Sequence, residues 1–213
     1  MKIEREINVW DPLLRMFHWG LVLFFSVSYL TAEDDSIIHP WSGYAIIGLL
    51  FFRLVWGFVG PRHARFKDFM FSKQETTGYA KALLKGRARR YLGHNPLGGA
   101  MVFTLLFSLM ATTVTGLMVY GVEEDKGPLA AVMSAQTQFV FPSIIATAQA
   151  DDDHDDEHDG VGELLEEIHE FFANFTVFLV VIHLVGVFFE SVYHRESLVA
   201  AMLNGKKREG SQG

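Results

Sequence analysis

The chain has 213 residues, half of them apolar, with 19 Phe, no Cys and a formal net charge of −7. Without Cys there are no disulfides, no thiolate-held iron–sulfur clusters and no thioether-attached haem. The net charge averages acidic and basic segments that lie far apart in the chain, so it argues for neither a nucleic-acid partner nor a uniformly acidic surface.

In chain order, four segments are long, apolar and nearly free of charge, as membrane helices must be. They fall at about 15–32, 39–60, 96–122 and 167–192. The first has a short core like that of a signal peptide. However, Asp11, Arg15 and His18 come just before it, and the acidic Glu33–Asp35 follows without a convincing cleavage site, so it is predicted to be a retained span. Every Lys and Arg of the 18 except Lys126 falls in the N-terminal segment, the 61–95 loop, the tail after Tyr193, or the ends of spans that meet them. The positive-inside rule then predicts both termini in the cytoplasm. The expectation is an all-α membrane protein of the cytoplasmic (inner) membrane. A single four-helix bundle domain would occupy 1–208, and a tail 209–213.

The outer loop is long, 123–166. Its mildly apolar part, Ala130–Ala148, is expected to lie on the membrane surface or over the bundle, since a fifth span would put the basic tail outside. The acidic run 151–159 follows, seven carboxylates with His154 and His158 between them. It could dock a basic redox protein, capture a metal ion, or serve only as a solvated loop.

The histidines organise the bundle. His169 and His183 are fourteen residues apart, about 40° short of four full turns, so both leave one helix face roughly 21 Å apart along the axis. With the termini inside, His18 lies at the inner end of span one and His39 at the outer end of span two. His169 is then outer and His183 inner. Two facing imidazoles at each of two depths is what a pair of bis-histidine haems requires. With no Cys, such haems are non-covalent, hence b-type. Singly, His18 could be an interfacial anchor, His39 a helix-start residue and His169 a solvated residue, whereas an intramembrane His183 is costly unless functional. Arg53, fourteen residues after His39, falls at the inner level; it could pair with a haem propionate or snorkel to the interface. Gly43, Gly48, Gly116 and Gly186 could admit a macrocycle or a neighbouring helix. His63, His94 and His194 are expected on the surface.

These residues sit among motifs that resemble a family. "VWDPLLRMFHW" (Val9–Trp19), "RLVWGFVGPRHARF" (Arg53–Phe66), "GHNPLGG" (Gly93–Gly99) and "HRESLVAAMLNGKKR" (His194–Arg208) look like the prokaryotic cytochrome b561 superfamily, near the cytochrome b subunits of nickel–iron hydrogenases and related reductases. The resemblance implies two haems b and electron transfer between quinone and a periplasmic redox protein, either a c-type cytochrome or a hydrogenase or reductase subunit. Its ligand histidines carry over onto His18 and His183 for the inner haem iron, and His39 and His169 for the outer. His63 stands where the family would have an aromatic residue, and the outer loop exceeds the family minimum. Quinone-site candidates are Arg15, His194 and Arg195 at the inner level, and Glu166, Glu167 and Glu170 at the outer. The chain reads as an electron-transfer subunit, with any quinone oxidoreductase activity arising in complex with a partner. The rival readings are a histidine-based proton or ion transporter and a cofactor-free membrane anchor.

Overall fold

The structure is a computed structural model that describes residues 6–33, 36–132 and 157–209. Four helices are long and apolar enough to cross a membrane. These are α1 (Pro12–Leu30), α2 (Ile38–Val59), α4 (Pro96–Glu123) and α5 (Glu157–Tyr193). Two shorter helices, α3 (Lys73–Leu84) and α6 (Leu198–Asn204), lie outside the spans. Short strands β1 (Glu6–Asn8) and β2 (Lys206–Arg208) pair antiparallel.

Local chemistry sets the helix starts. Asp11 accepts a bond from Leu14 N–H at 3.1 Å and Pro12 opens α1. Asn95 accepts from Gly98 N–H at 2.7 Å and Pro96 opens α4. In both, the cap satisfies an orphan donor while Pro occupies a position whose N–H is not needed. Ser72 and Glu75 form a capping box on α3.

Helix α1 packs on α2, α2 on α4, and α4 on α5. Helix α2 buries Ser42, Ile46, Leu50, Arg53 and Gly57, a stripe at three- and four-residue intervals that marks one inward face. Between α4 and α5 the contact is polar at its centre, where the fully buried hydroxyls of Ser108 and Thr176 lie 2.7 Å apart. The outward faces expose Leu23, Phe58, Phe107, Phe178, Val185 and Phe188, a surface suited to lipid rather than water.

Three features depart from expectation. The fourth helix begins at Glu157, ten residues before the predicted span, because helical hydrogen bonding continues past the point where apolar character ends. The 61–95 segment is ordered: two single 3-10 turns precede α3. The fold is also not wholly α. The β1–β2 ribbon joins the two ends of the chain, and Val9 and Trp10 N–H donate to Gly205 O at 2.9 and 3.1 Å. Gly205 has φ +81° and a Cβ there would lie 2.6 Å from Trp10 O, so this latch needs glycine. It places the two strands, and so the chain on either side of the four spans, at one end of the bundle with the 61–95 segment, whose Arg90 donates to Arg208 O. Most of 130–148 and of the acidic run lies outside the described residues.

Candidate haem sites

At the end remote from the termini, His39 near the start of α2 faces His169 on α5. Their ring centres are 6.1 Å apart and their planes are perpendicular. An iron held about 2 Å from each of two imidazole nitrogens puts the ring centres on the order of 6 Å apart, so the observed spacing fits one metal centre between them. The rings are also orientated. His39 Nδ1 lies 2.9 Å from Ser28 O, and His169 Nδ1 lies 2.9 Å from Thr112 O with Thr115 Oγ1 at 3.2 Å. A backbone carbonyl can only accept, so in both rings Nδ1 carries the proton and Nε2 keeps its lone pair for a metal. Gly116 on α4 makes room for this ring: a Cβ there would lie 2.8 Å from His169 Cε1.

At the other level, His18 on α1 stands edge-on to Trp19, with ring centres 5.2 Å apart. Its Nδ1 is buried with no hydrogen-bond partner. Of the histidines expected as pairs, His39 and His169 face each other directly. Gly43, Gly48 and Gly186 meet nothing within 4 Å, so of the glycines singled out only Gly116 is a close-packing position.

Arg53 is buried, with its guanidinium 4.6 Å from the Phe66 ring centre, 5.8 Å from Phe69 and 6.0 Å from Phe17. Its Nη1 has no partner. Snorkelling to the interface is therefore ruled out: three aromatic rings, not water, surround the charge. It borders a small apolar cavity lined by Leu50, Leu54, Phe66, Leu106 and Met110.

The three cytoplasm-assigned histidines are not ordinary surface residues. His94 packs between Trp10 and Phe69, with ring centres 4.7 and 4.6 Å away, and its Nδ1 is buried without a partner. Burial, then the charges of Arg53 and Lys207, lower its pKa to about 3. His63 Nδ1 pairs with Asp68 at 2.8 Å, and His194 Nε2 lies 3.3 Å from Glu190. The span pattern stops at the helix ends, so it could not reveal that the connecting segments fold back and bury these rings. Of the quinone-site candidates, Arg15 donates to Leu203 O and Arg195 is exposed. Glu166, Glu167 and Glu170 are exposed on α5. Among the described residues, no three of His, Asp and Glu cluster as a metal-ion site.

Known proteins resemble this chain along most of its length. A probable Ni/Fe-hydrogenase B-type cytochrome subunit of Rhodobacter capsulatus is 23% identical over 231 residues, covering 95% of this chain and 81% of the relative. One from Azotobacter chroococcum is 25% identical, covering 95% and 88%. One from Cupriavidus necator is 29% identical, covering 72% and 59%. No solved structure matches. The profile described as prokaryotic cytochrome b561 matches residues 9–205, nearly the whole chain, and so this protein belongs to the prokaryotic cytochrome b561 family.

Proposed function

We propose that this chain is a di-haem b-type cytochrome that carries electrons across the cytoplasmic membrane, between the quinone pool and a periplasmic redox protein. One haem lies between His39 and His169, the other between His18 and His183. The observation that carries the reading is the outer pair, with rings 6.1 Å apart and both Nδ1 atoms on backbone carbonyls. Family membership supports membrane electron transfer by haem b. The relatives' names point to a hydrogenase as one kind of redox partner. A c-type cytochrome is the other. The concentration of basic residues at the end holding both termini supports a cytoplasmic location for that end.

Bound haem would supply one-electron chemistry, and the protein's part is to hold, orientate and insulate it. Ser28 O and Thr112 O fix the outer imidazoles. Helix α5 carries one ligand of each pair, about 21 Å apart by its rise, so a single rigid element sets the spacing of the relay. Phe17, Phe66 and Phe69 keep water from Arg53, whose unpartnered Nη1 suits a haem propionate at the inner level.

A transporter path is less well supported. The hydroxyls of span three are used internally: Thr112, Thr113 and Thr115 donate to carbonyls of their own helix at 2.9, 3.0 and 2.9 Å. Purification of the chain and its visible spectrum test the proposal. Two low-spin haems per chain are expected. A colourless protein would refute it and leave the membrane-anchor reading.

A further inference from the structure

The 61–95 segment is fastened across the feet of two spans. Ahead of α3, Phe69 O lies so close to the first turn of α4 that a Cβ on Gly99 would stand 2.4 Å from it. On α3 itself, Tyr79 Oη donates to Glu190 at 2.9 Å. Beyond α3, Ala88 N–H donates to Tyr193 Oη at 3.1 Å, and Arg90 pairs with Glu196 at 2.8 Å. The charge-free part of α5 ends at Phe189, and that of α4 begins at Pro96. Helix α3 is therefore held at the depth where apolar chain gives way to polar, which in a bilayer is the headgroup layer.

The inward face of α3 is packed and the outward face is bare. Tyr79 is buried, and Thr76, Ala80 and Leu83 beside it are half-buried. Lys81, Leu84 and Lys85 share the opposite face, at spacings of three and four residues, and all are exposed. Leu84 is 89% exposed, so no part of the protein covers this apolar side chain. The helix gives way at Gly86, in the left-handed region at φ +66°. Exposure then alternates: Arg87 and Arg89 face outward, while Ala88 and Arg90 turn inward onto Tyr193 and Glu196. Four cations thus flank one bare leucine between residues 81 and 89. The two acidic residues of the segment are engaged elsewhere. Asp68 pairs with Arg62 and His63, and Glu75 closes the α3 capping box. Among the described residues, none of the four cations is in an ion pair.

We infer that Lys81, Leu84, Lys85, Arg87 and Arg89 form a docking surface for anionic phospholipid headgroups, with Leu84 entering the acyl boundary between them. This rests on the four helices spanning a bilayer, and not on haem. Charge, depth and shape agree on that occupant. A cluster of Lys and Arg beside a span attracts anionic lipid, at roughly fivefold per cation near the surface. The long cationic stems reach phosphate while their methylenes lie against the acyl chains. A soluble acidic protein would match the charges, but a patch at headgroup depth already faces lipid. Through Tyr79 and Ala88, the same contact braces the last turn of α5.

The chain has no Cys, so a single nitroxide can be placed at Leu84→Cys, where its apolar ring stands in for the leucine. The labelled full chain is reconstituted in nanodiscs of phosphatidylcholine alone or mixed with phosphatidylglycerol. Collision of the probe with a water-soluble nickel complex is compared with collision with oxygen, which concentrates among the acyl chains. In the mixed discs the nickel collision rate should fall about fivefold or more relative to the neutral discs. High salt, which shortens screening to about 3 Å at 1 M, should restore most of it. Lys81→Gln, Lys85→Gln, Arg87→Gln and Arg89→Gln together should abolish the difference between the two lipids. Where that variant does not fold, Lys85→Gln with Arg87→Gln should at least halve it. Equal accessibility in both lipids, or a difference that survives salt or the Gln substitutions, would overturn this inference alone. A chain that does not enter the discs would overturn the membrane-spanning reading and this with it.

Discussion

Gly116→Ala is the most direct probe of the outer pair. The added Cβ would lie 2.8 Å from His169 Cε1, and relief to about 3.4 Å requires the ring to move roughly 0.6 Å. The ring cannot swing aside freely, because Nδ1 is held 2.9 Å from Thr112 O. A 0.6 Å retreat from α4 lengthens that bond to about 3.5 Å, beyond normal hydrogen-bonding range. Losing it forfeits about 0.5–1.5 kcal/mol, which is roughly a two- to thirteen-fold loss in retention of whatever the oriented ring holds. The assay is haem quantitation per chain by pyridine haemochrome after dilution into apo-myoglobin as a haem acceptor, with the low-spin spectrum recorded in parallel. One haem should be lost faster, its bands altered, and the other should stay. Equal retention of both haems with an unchanged spectrum would refute the claim that Gly116 seats the His169 ring.

Four further outcomes are expected. His183→Ala should remove one haem and leave the other, and His169→Ala should do the reverse; two low-spin haems in either variant would break the depth pairing. Arg53→Met keeps most of the buried volume but removes the charge, and should weaken retention of the inner haem roughly tenfold or more, in line with a charge-assisted hydrogen bond of about 1.5–3 kcal/mol. Because the His94 pKa is lowered to about 3 from 6.5, the unfolded chain binds a proton that the folded chain refuses. Stability is therefore lost as pH falls from 6.5 towards 3, by up to about 1.4 kcal/mol per pH unit. Unfolding midpoints measured at pH 7 and pH 5 should converge in His94→Phe. Neutralising the seven carboxylates of 151–159 to Asn or Gln should slow electron exchange with a basic periplasmic partner at low salt and leave the haem spectra intact; unchanged rates would reduce the run to a solvated loop, and rates that follow added zinc or nickel would favour metal capture.

The sequence by itself determined what is periodic or local. Four apolar segments of bilayer length emerge from composition. The common face of His169 and His183 follows from helical geometry, and the caps at Asp11 and Asn95 follow from residue type and a following Pro. Charge distribution sorted the connecting segments onto two sides. These features depend on neighbours within a few turns, so they need no knowledge of the fold. Only the tertiary structure decided which nitrogen of His39 and His169 is free, because the choice is made by carbonyls of Ser28 and Thr112 on neighbouring helices. It also decided that Arg53 is enclosed by Phe17, Phe66 and Phe69 rather than drawn to water. His94 became buried, and Glu190 gained Tyr79 and Asn95, because the 61–95 segment folds back beneath the bundle. The pairing of Glu6 with Arg208 joins residues at opposite ends of the chain. No periodicity encodes such contacts; they exist because packing four helices brings together groups that are distant in sequence and leaves their buried polar atoms to find one another.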